Sequence, residues 1–169
     1  METSSSLTAV AGNGSVLSVS PIEEDHFALE QLLGETGWPA PAAAPSQLSR
    51  TATLTAALVA LRRAEYAVAI CERDLGDASW KDLLECTRGL MNPPLLIVTS
   101  RLADEYLWAE ALNLGAHDVL AKPFEPAEVT RVVSLACLRW QRERQPGIRF
   151  RPTTLSSRRH SASYLVEGL

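Results

Sequence analysis

The sequence predicts an α/β fold: a doubly wound, five-stranded parallel sheet with helices on both faces. Three observations carry that prediction. Strand-like and helix-like segments alternate along the chain, the order that builds a parallel sheet covered on both sides. Two strand-like runs, Tyr66 to Cys71 (YAVAIC) and Leu95 to Val98 (LLIV), are apolar throughout, as strands buried on both faces are. The helix-like segments repeat apolar residues at three- and four-residue intervals, the period of one helical face.

Residues 1–14 are mostly Ser, Thr, Gly and Ala, too polar and small to build a core, and read as a disordered lead-in. The domain is expected over 15–140. Val16-Leu17-Ser18-Val19 is a short first strand. Ser20-Pro21-Ile22-Glu23 then reads as a helix start, with Ser20 at the N-cap, Pro21 at the first helical position and Glu23 closing a capping box. Ile22, His26, Leu29 and Leu33 line the apolar face of that helix. His26 is expected to be a satisfied residue at the edge of the core. Glu23, Glu24 and Asp25 are expected to form a solvated first turn, since acids favour the positive end of the helix dipole.

Trp38-Pro39-Ala40-Pro41, with Pro45 following, cannot sustain a long strand because each proline removes a ladder donor. A short edge strand near Trp38 followed by a loop is expected. Thr51 to Arg63 reads as a helix, with Leu54, Ala57, Leu58 and Leu61 on one side and Arg62-Arg63 at its negative end. After the YAVAIC strand, Glu72 to Asp77 form a polar loop. Trp80, Leu83, Leu84 and Leu90 suggest the next helix, closed by Gly89 and Asn92-Pro93-Pro94. LLIV ends in Thr99-Ser100. Leu107, Ala111 and Leu114 line a helix ended by Gly115. Asp118 to Ala121 is the last strand, with His117 in the loop before it. Glu125-Pro126 opens a final helix that turns Val129, Val132, Val133 and Ala136 inward.

The formal net charge of −4 does not by itself suggest a nucleic-acid binder. The average hides an asymmetry. From Arg139 to Leu169 seven arginines face two glutamates, a balance of +5, so residues 1–138 carry −9. A basic tail is therefore expected over 141–169, starting as an extension of the last helix and losing order near Pro146-Gly147. Arginines beside Trp140 and Phe150 could bind phosphates and stack bases. The weaker demand, and the favoured one, is a solvated tail or one that folds back on the acidic body, since charge runs usually form tails. Cys71, Cys86 and Cys137 are widely spaced and form no metal-binding pattern, so reduced core thiols are expected. No apolar run approaches the ~20 residues of a membrane span, and no charged leader precedes a hydrophobic stretch at the N-terminus. A cytoplasmic protein is expected.

In a doubly wound sheet the functional loops follow the carboxyl ends of the strands, here Ser20-Pro21, Glu72 to Gly76, Thr99-Ser100 and Lys122-Pro123. The run Leu95-Leu96-Ile97-Val98-Thr99-Ser100, then Gly115-Ala116-His117-Asp118-Val119-Leu120-Ala121-Lys122-Pro123-Phe124, resembles the response-regulator receiver family, the CheY-like domains of bacterial two-component phosphorelay signalling. The resemblance covers Ser15 to Trp140 and implies a flavodoxin-like fold of receiver type. In that family an acidic pair after the first strand and an aspartate after the third hold Mg²⁺ while a phosphoryl group moves to the aspartate. A hydroxyl residue and a lysine contact the phosphoryl oxygens.

The resemblance places the acidic pair on Ser20 and Pro21, neither a carboxylate. It places the phosphoacceptor on Glu72, with Gly76 where a proline is common and Trp80 where a glycine is common. Thr99 matches the hydroxyl position and Lys122 the lysine. Val119 stands where an aromatic switch residue is often found. The implied protein is a stand-alone pseudo-receiver with no metal, no cofactor and no enzymatic activity. Glu72 would pair with Lys122, or its longer side chain would partly imitate a phosphorylated aspartate. The competing reading makes Asp74 a working phosphoacceptor in an altered pocket. The expected partner is a sensor kinase or an output protein reading the face of the fourth helix, last strand and last helix, where Tyr106, Trp108 and Arg131 fall. Homodimerisation and nucleic-acid contact through the tail are open alternatives, and no membrane contact is expected. No output motif follows the domain, so output is expected to pass through a partner.

Overall fold

The computed structural model describes residues 15–35 and 48–144. The expected lead-in, the Trp38 segment, and the tail beyond Arg144 with Arg149, Phe150, Arg151, Arg158 and Arg159 lie outside the described residues. Five strands and five helices alternate: β1 (Val16–Val19), α1 (Glu23–Glu35), β2 (Leu48–Thr51), α2 (Leu54–Arg63), β3 (Val68–Glu72), α3 (Trp80–Thr87), β4 (Leu95–Ser100), α4 (Glu105–Leu114), β5 (Asp118–Ala121) and α5 (Pro126–Arg144). All strands are parallel, in the order β2-β1-β3-β4-β5. The chain steps outward from β1 to β2, then crosses back to β3. Loops that leave in opposite directions open a crevice at the carboxyl ends of β1 and β3.

The sheet divides the core by its two-residue period. Leu17, Val19, Ala69, Cys71, Leu96, Val98 and Val119 face one way, against Ala57 and Leu61 of α2, Trp80 and Leu83 of α3, and Leu107 and Ala111 of α4. Val16, Val68, Ile70, Ile97 and Leu120 face the other way, against Leu29 and Leu33 of α1 and Val129, Val132, Val133 and Ala136 of α5. The central strand β3 is buried on both faces, which is why its sequence is an unbroken apolar run.

The second strand differs from expectation. Edge strand β2 is Leu-Ser-Arg-Thr, Leu48–Thr51, paired with β1, and Thr51 ends it rather than opening α2. An edge strand with little burial needs no apolar pattern, so its sequence carries little signal. Thr53 caps α2, its hydroxyl accepting from Ala56 N–H at 3.2 Å. Asp104 caps α4 through Leu107 N–H at 2.9 Å. Gly115 ends α4 at φ +106°, the left-handed conformation in which glycine costs least.

The last helix runs to Arg144. The indole N–H of Trp140 donates to the carbonyl of Pro93 at 3.1 Å. The guanidinium of Arg144 lies 4.2 Å from the Trp140 ring centre and pairs with Glu65 at 2.8 Å. Trp140 is 3% exposed, so it is not free to stack a base, contrary to the nucleic-acid reading of this stretch. Its ring serves the core because it completes the apolar face that α5 lays on the sheet.

Candidate functional site: a buried ion cluster at the strand ends

Three loops converge at the carboxyl end of the sheet. Glu72 is the last residue of β3 and lies beside Thr99 of β4 in the parallel register. Lys122 follows β5 directly, its N–H donating to the carbonyl of Ser100 at 3.0 Å. The sheet thus fixes the three backbones side by side, and their side chains meet. The ammonium of Lys122 pairs with Oε2 of Glu72. The Thr99 hydroxyl donates to the same oxygen at 3.2 Å. The side chains of Lys122 and Glu72 are 6% and 11% exposed.

A second carboxylate completes the cluster. Oδ2 of Asp25 accepts from Lys122 at 2.7 Å and from the Ser20 hydroxyl at 2.6 Å. Each carboxylate therefore offers one oxygen to the lysine and to one hydroxyl. Asp25 is buried, which corrects the expectation of a solvated first turn: Glu23 and Glu24 are exposed, whereas Asp25 turns inward. A buried ammonium requires compensating charge and further hydrogen bonds, and the side chain one position past the exposed pair reaches it.

The helix start changes accordingly. The first regular residue of α1 is Glu23, so Ser20 is not its N-cap and the Ser20–Glu23 capping box does not form. The Ser20 hydroxyl instead accepts from Ile22 N–H at 3.1 Å and donates to Asp25. Glu23 pairs outward with Arg50 of β2 at 3.0 Å. The hydroxyl serves both partners at once, because its proton and its lone pairs are separate capacities, and its proton goes to the charged acceptor. Pro21 is exposed and has no side-chain donor or acceptor.

Beneath this turn His26 is 2% exposed and fully engaged. Its Nε2 lies 3.0 Å from the Ser20 carbonyl and its Nδ1 2.8 Å from the Ser18 hydroxyl. A carbonyl only accepts, so Nε2 carries a proton.

Val119 is completely buried among the residues facing α4. It offers no side chain that could swing between the interior and the surface. Asp74 is exposed, and its carboxylate accepts from Gly76 N–H at 2.9 Å. It bonds its own loop, not the Lys122 cluster. Beside Glu72, the thiol of Cys71 is pushed upward from its ordinary range, first by burial and then by the Glu72 charge, so it is a poor nucleophile.

The donor set does not fit the Mg²⁺ of phosphorylatable receiver pockets. Magnesium takes carboxylate and water oxygens in an octahedron. Ser20 and Pro21 supply no carboxylate, and an ammonium stands between the two carboxylates that are present. Among the described residues no group of three or more His, Cys, Asp or Glu could hold a metal ion.

No protein-family model matches the sequence, and no curated protein matches it. The likeness is structural. The signal receiver domain of an HD domain-containing protein from Pseudomonas fluorescens Pf-5 superposes with a TM-score of 0.66 at 24% identity, covering 82% of this chain and 98% of that one. A CheY-like response regulator receiver domain protein from Methanospirillum hungatei JF-1 gives 0.65 at 19% identity, with 78% and 99% covered. The chemotaxis response regulator CheY4 of Vibrio cholerae gives 0.61 at 16% identity, with 73% and 98% covered. The chain therefore has the fold of response-regulator receiver domains, over nearly the full length of those domains. No described helix is long and apolar enough to cross a membrane.

Sequence reasoning reached Ser20, Glu72, Thr99 and Lys122 but missed Asp25. A signal was available. A buried lysine ammonium has three donors, and Glu72 and its loop do not use them all, so a further buried acceptor is called for; Asp25 adjoins His26 on the apolar face of α1 and supplies it.

Proposed function

We propose that the chain is a receiver-like signalling module that acts by protein–protein binding without aspartyl phosphorylation. The observation that carries this reading is the pairing of Lys122. In phosphorylatable relatives of this fold the resemblance assigns that lysine to a phosphoryl group. Here its ammonium is held by Glu72 and Asp25, so the pocket is filled by the chain's own charges. Glu72 is the phosphoacceptor equivalent, and its added methylene brings the carboxylate to the lysine and to Thr99 without any transferred group. The same contacts hold the loop after β5 in one position, giving a permanent state to be read by a partner.

The reading surface is the α4–β5–α5 face. Tyr106 of α4 is 86% exposed, Trp108 of the same helix is half-buried, and Arg131 of α5 is exposed. Exposed aromatic and arginine side chains are the usual anchors of protein interfaces. The partner is a sensor kinase or an output protein in the cytoplasm.

The test is incubation with Mg²⁺ and a small acyl-phosphate donor, followed by intact-mass measurement. The protein stays unmodified under this reading. A stable phosphoryl adduct on any carboxylate overturns it, and loss of that adduct in Asp74→Asn would hand the site to Asp74.

A further inference from the structure

The cluster continues below the pocket. Ser18, Ser20, Asp25 and His26 are all buried, at 1%, 3%, 7% and 2% exposure. They form one hydrogen-bonded path: the Ser18 hydroxyl to His26 Nδ1, His26 Nε2 to the Ser20 carbonyl, the Ser20 hydroxyl to Asp25, and Asp25 to Lys122. From this geometry we infer that His26 is a positioning residue for the pocket. It fixes the β1–α1 turn so that Ser20 can aim Asp25 at Lys122, making the turn the second jaw of a clamp whose first jaw is Glu72. This inference rests on the proposed function and names what sets the state of that site.

The physical reasons are specific. The turn after β1 has Pro21 at its centre and lacks the capping box that would stiffen it. Its Ser20 N–H donates to the Thr51 carbonyl of edge strand β2 at 3.0 Å. The imidazole adds the inner hold. Its Nε2–H grips the Ser20 carbonyl from within the core, while Nδ1 is fixed by Ser18 of β1. A buried polar group is stable only when its partners are in place, so the ring, the turn and the carboxylate are mutually dependent. Glu72 needs no such device because it lies within the register of the sheet.

The chain has two lysines, Lys81 and Lys122, which makes the clamp directly measurable. Lys81 is on the surface, paired with Glu110 at 47% side-chain exposure, and serves as the internal reference. Full-length protein is treated with a limiting acylating reagent, and the rates at the two lysines are compared by peptide mass spectrometry. In wild type Lys122 reacts far more slowly than Lys81. Asp25→Asn, Ser20→Ala and His26→Leu each raise the Lys122-to-Lys81 ratio several-fold. His26→Gln, which can still donate to the Ser20 carbonyl, stays close to wild type. Folding is checked by circular dichroism, because global loosening would expose Lys122 and raise the ratio whatever the turn does. If His26→Leu does not fold, Ser18→Ala decides, since it frees Nδ1 of the ring and leaves the Ser20–Asp25 bond in place. An unchanged ratio in folded His26→Leu, or in Ser18→Ala where His26→Leu does not fold, overturns the inference. Phosphodonor labelling of the wild type would overturn the proposed function instead, so the two failures are distinguishable.

Discussion

The two loops that grip Lys122 are built on opposite plans. On the β3 side, Glu72 takes its place from the sheet: its residue partner in the register is Thr99, and the next strand brings Lys122. On the β1 side nothing in the sheet supplies a carboxylate. The strand ends in Ser20-Pro21, and the acid arrives from the first turn of α1 through two hydrogen bonds at Ser20. The difference teaches that burial of the lysine demands acceptors for its ammonium but does not dictate which residues provide them. A buried ammonium with one partner removed is strongly destabilising. That requirement is met from whichever backbone position is within reach.

The largest effect expected from breaking this arrangement is at its shared centre. Lys122→Met leaves two buried carboxylates facing each other without a cation, a loss of about 3–5 kcal/mol in urea unfolding. A loss below about 1 kcal/mol would mean that the cluster is wetter than its burial indicates. The next effect separates the two jaws. Asp25→Asn removes one charge-assisted pair and costs about 1.5–3 kcal/mol, although Asp25 lies in a run of acids that looks solvated. Its neighbour two positions earlier is the control. Glu23→Gln touches only the exposed Arg50 pair, with Glu23 78% exposed, and costs under about 1 kcal/mol. Equal losses for Asp25→Asn and Glu23→Gln would erase the distinction between the inner and outer acids.

The smallest effect compares the two ends of β5. Lys122 at one end has two anionic partners, whereas Nδ1 of His117 at the other is buried without a hydrogen-bond partner among the described residues. Burial, then the charge of Arg139, lower the His117 pKa from its ordinary 6.5, while Asp118 and Glu143 oppose the shift. A lowered pKa means that the unfolded chain takes up the proton first as pH falls. His117 therefore contributes stability that is full above about 6.5 and declines below it. His117→Gln flattens that decline, measured as the pH dependence of thermal unfolding. An unchanged slope would place the titration elsewhere.

How far the fold could be read from the sequence follows the same division. β3, β4 and α5 were legible because burial leaves a pattern: YAVAIC and LLIV are apolar throughout, and Val129, Val132, Val133 and Ala136 repeat at helical spacing. β5 was legible from its flanking turns. β2 was not, because Leu48–Thr51 is a short edge strand whose polar sequence carries no period. Glu72, Thr99 and Lys122 were found through loop position, and the structure brings them together. Asp25 was hidden because an acid in the first helical turn already has an ordinary explanation in the helix dipole. Trp140 is ambiguous in the sequence for the converse reason: next to arginines along the chain, it faces the core in space.

The Lys122 ammonium is held by Glu72 and Asp25, and the proposed function requires that a phosphoryl group cannot displace them. With only two lysines in the chain, a protein labelled with ¹⁵N at lysine gives side-chain signals that resolve Lys122 from Lys81. Addition of Mg²⁺ with beryllofluoride, a mimic of a phosphoryl group, is the direct challenge. The account predicts a protected Lys122 ammonium signal that does not move on this addition but shifts in Glu72→Gln and in Asp25→Asn. A Lys122 signal in wild type that moves saturably with beryllofluoride would contradict it.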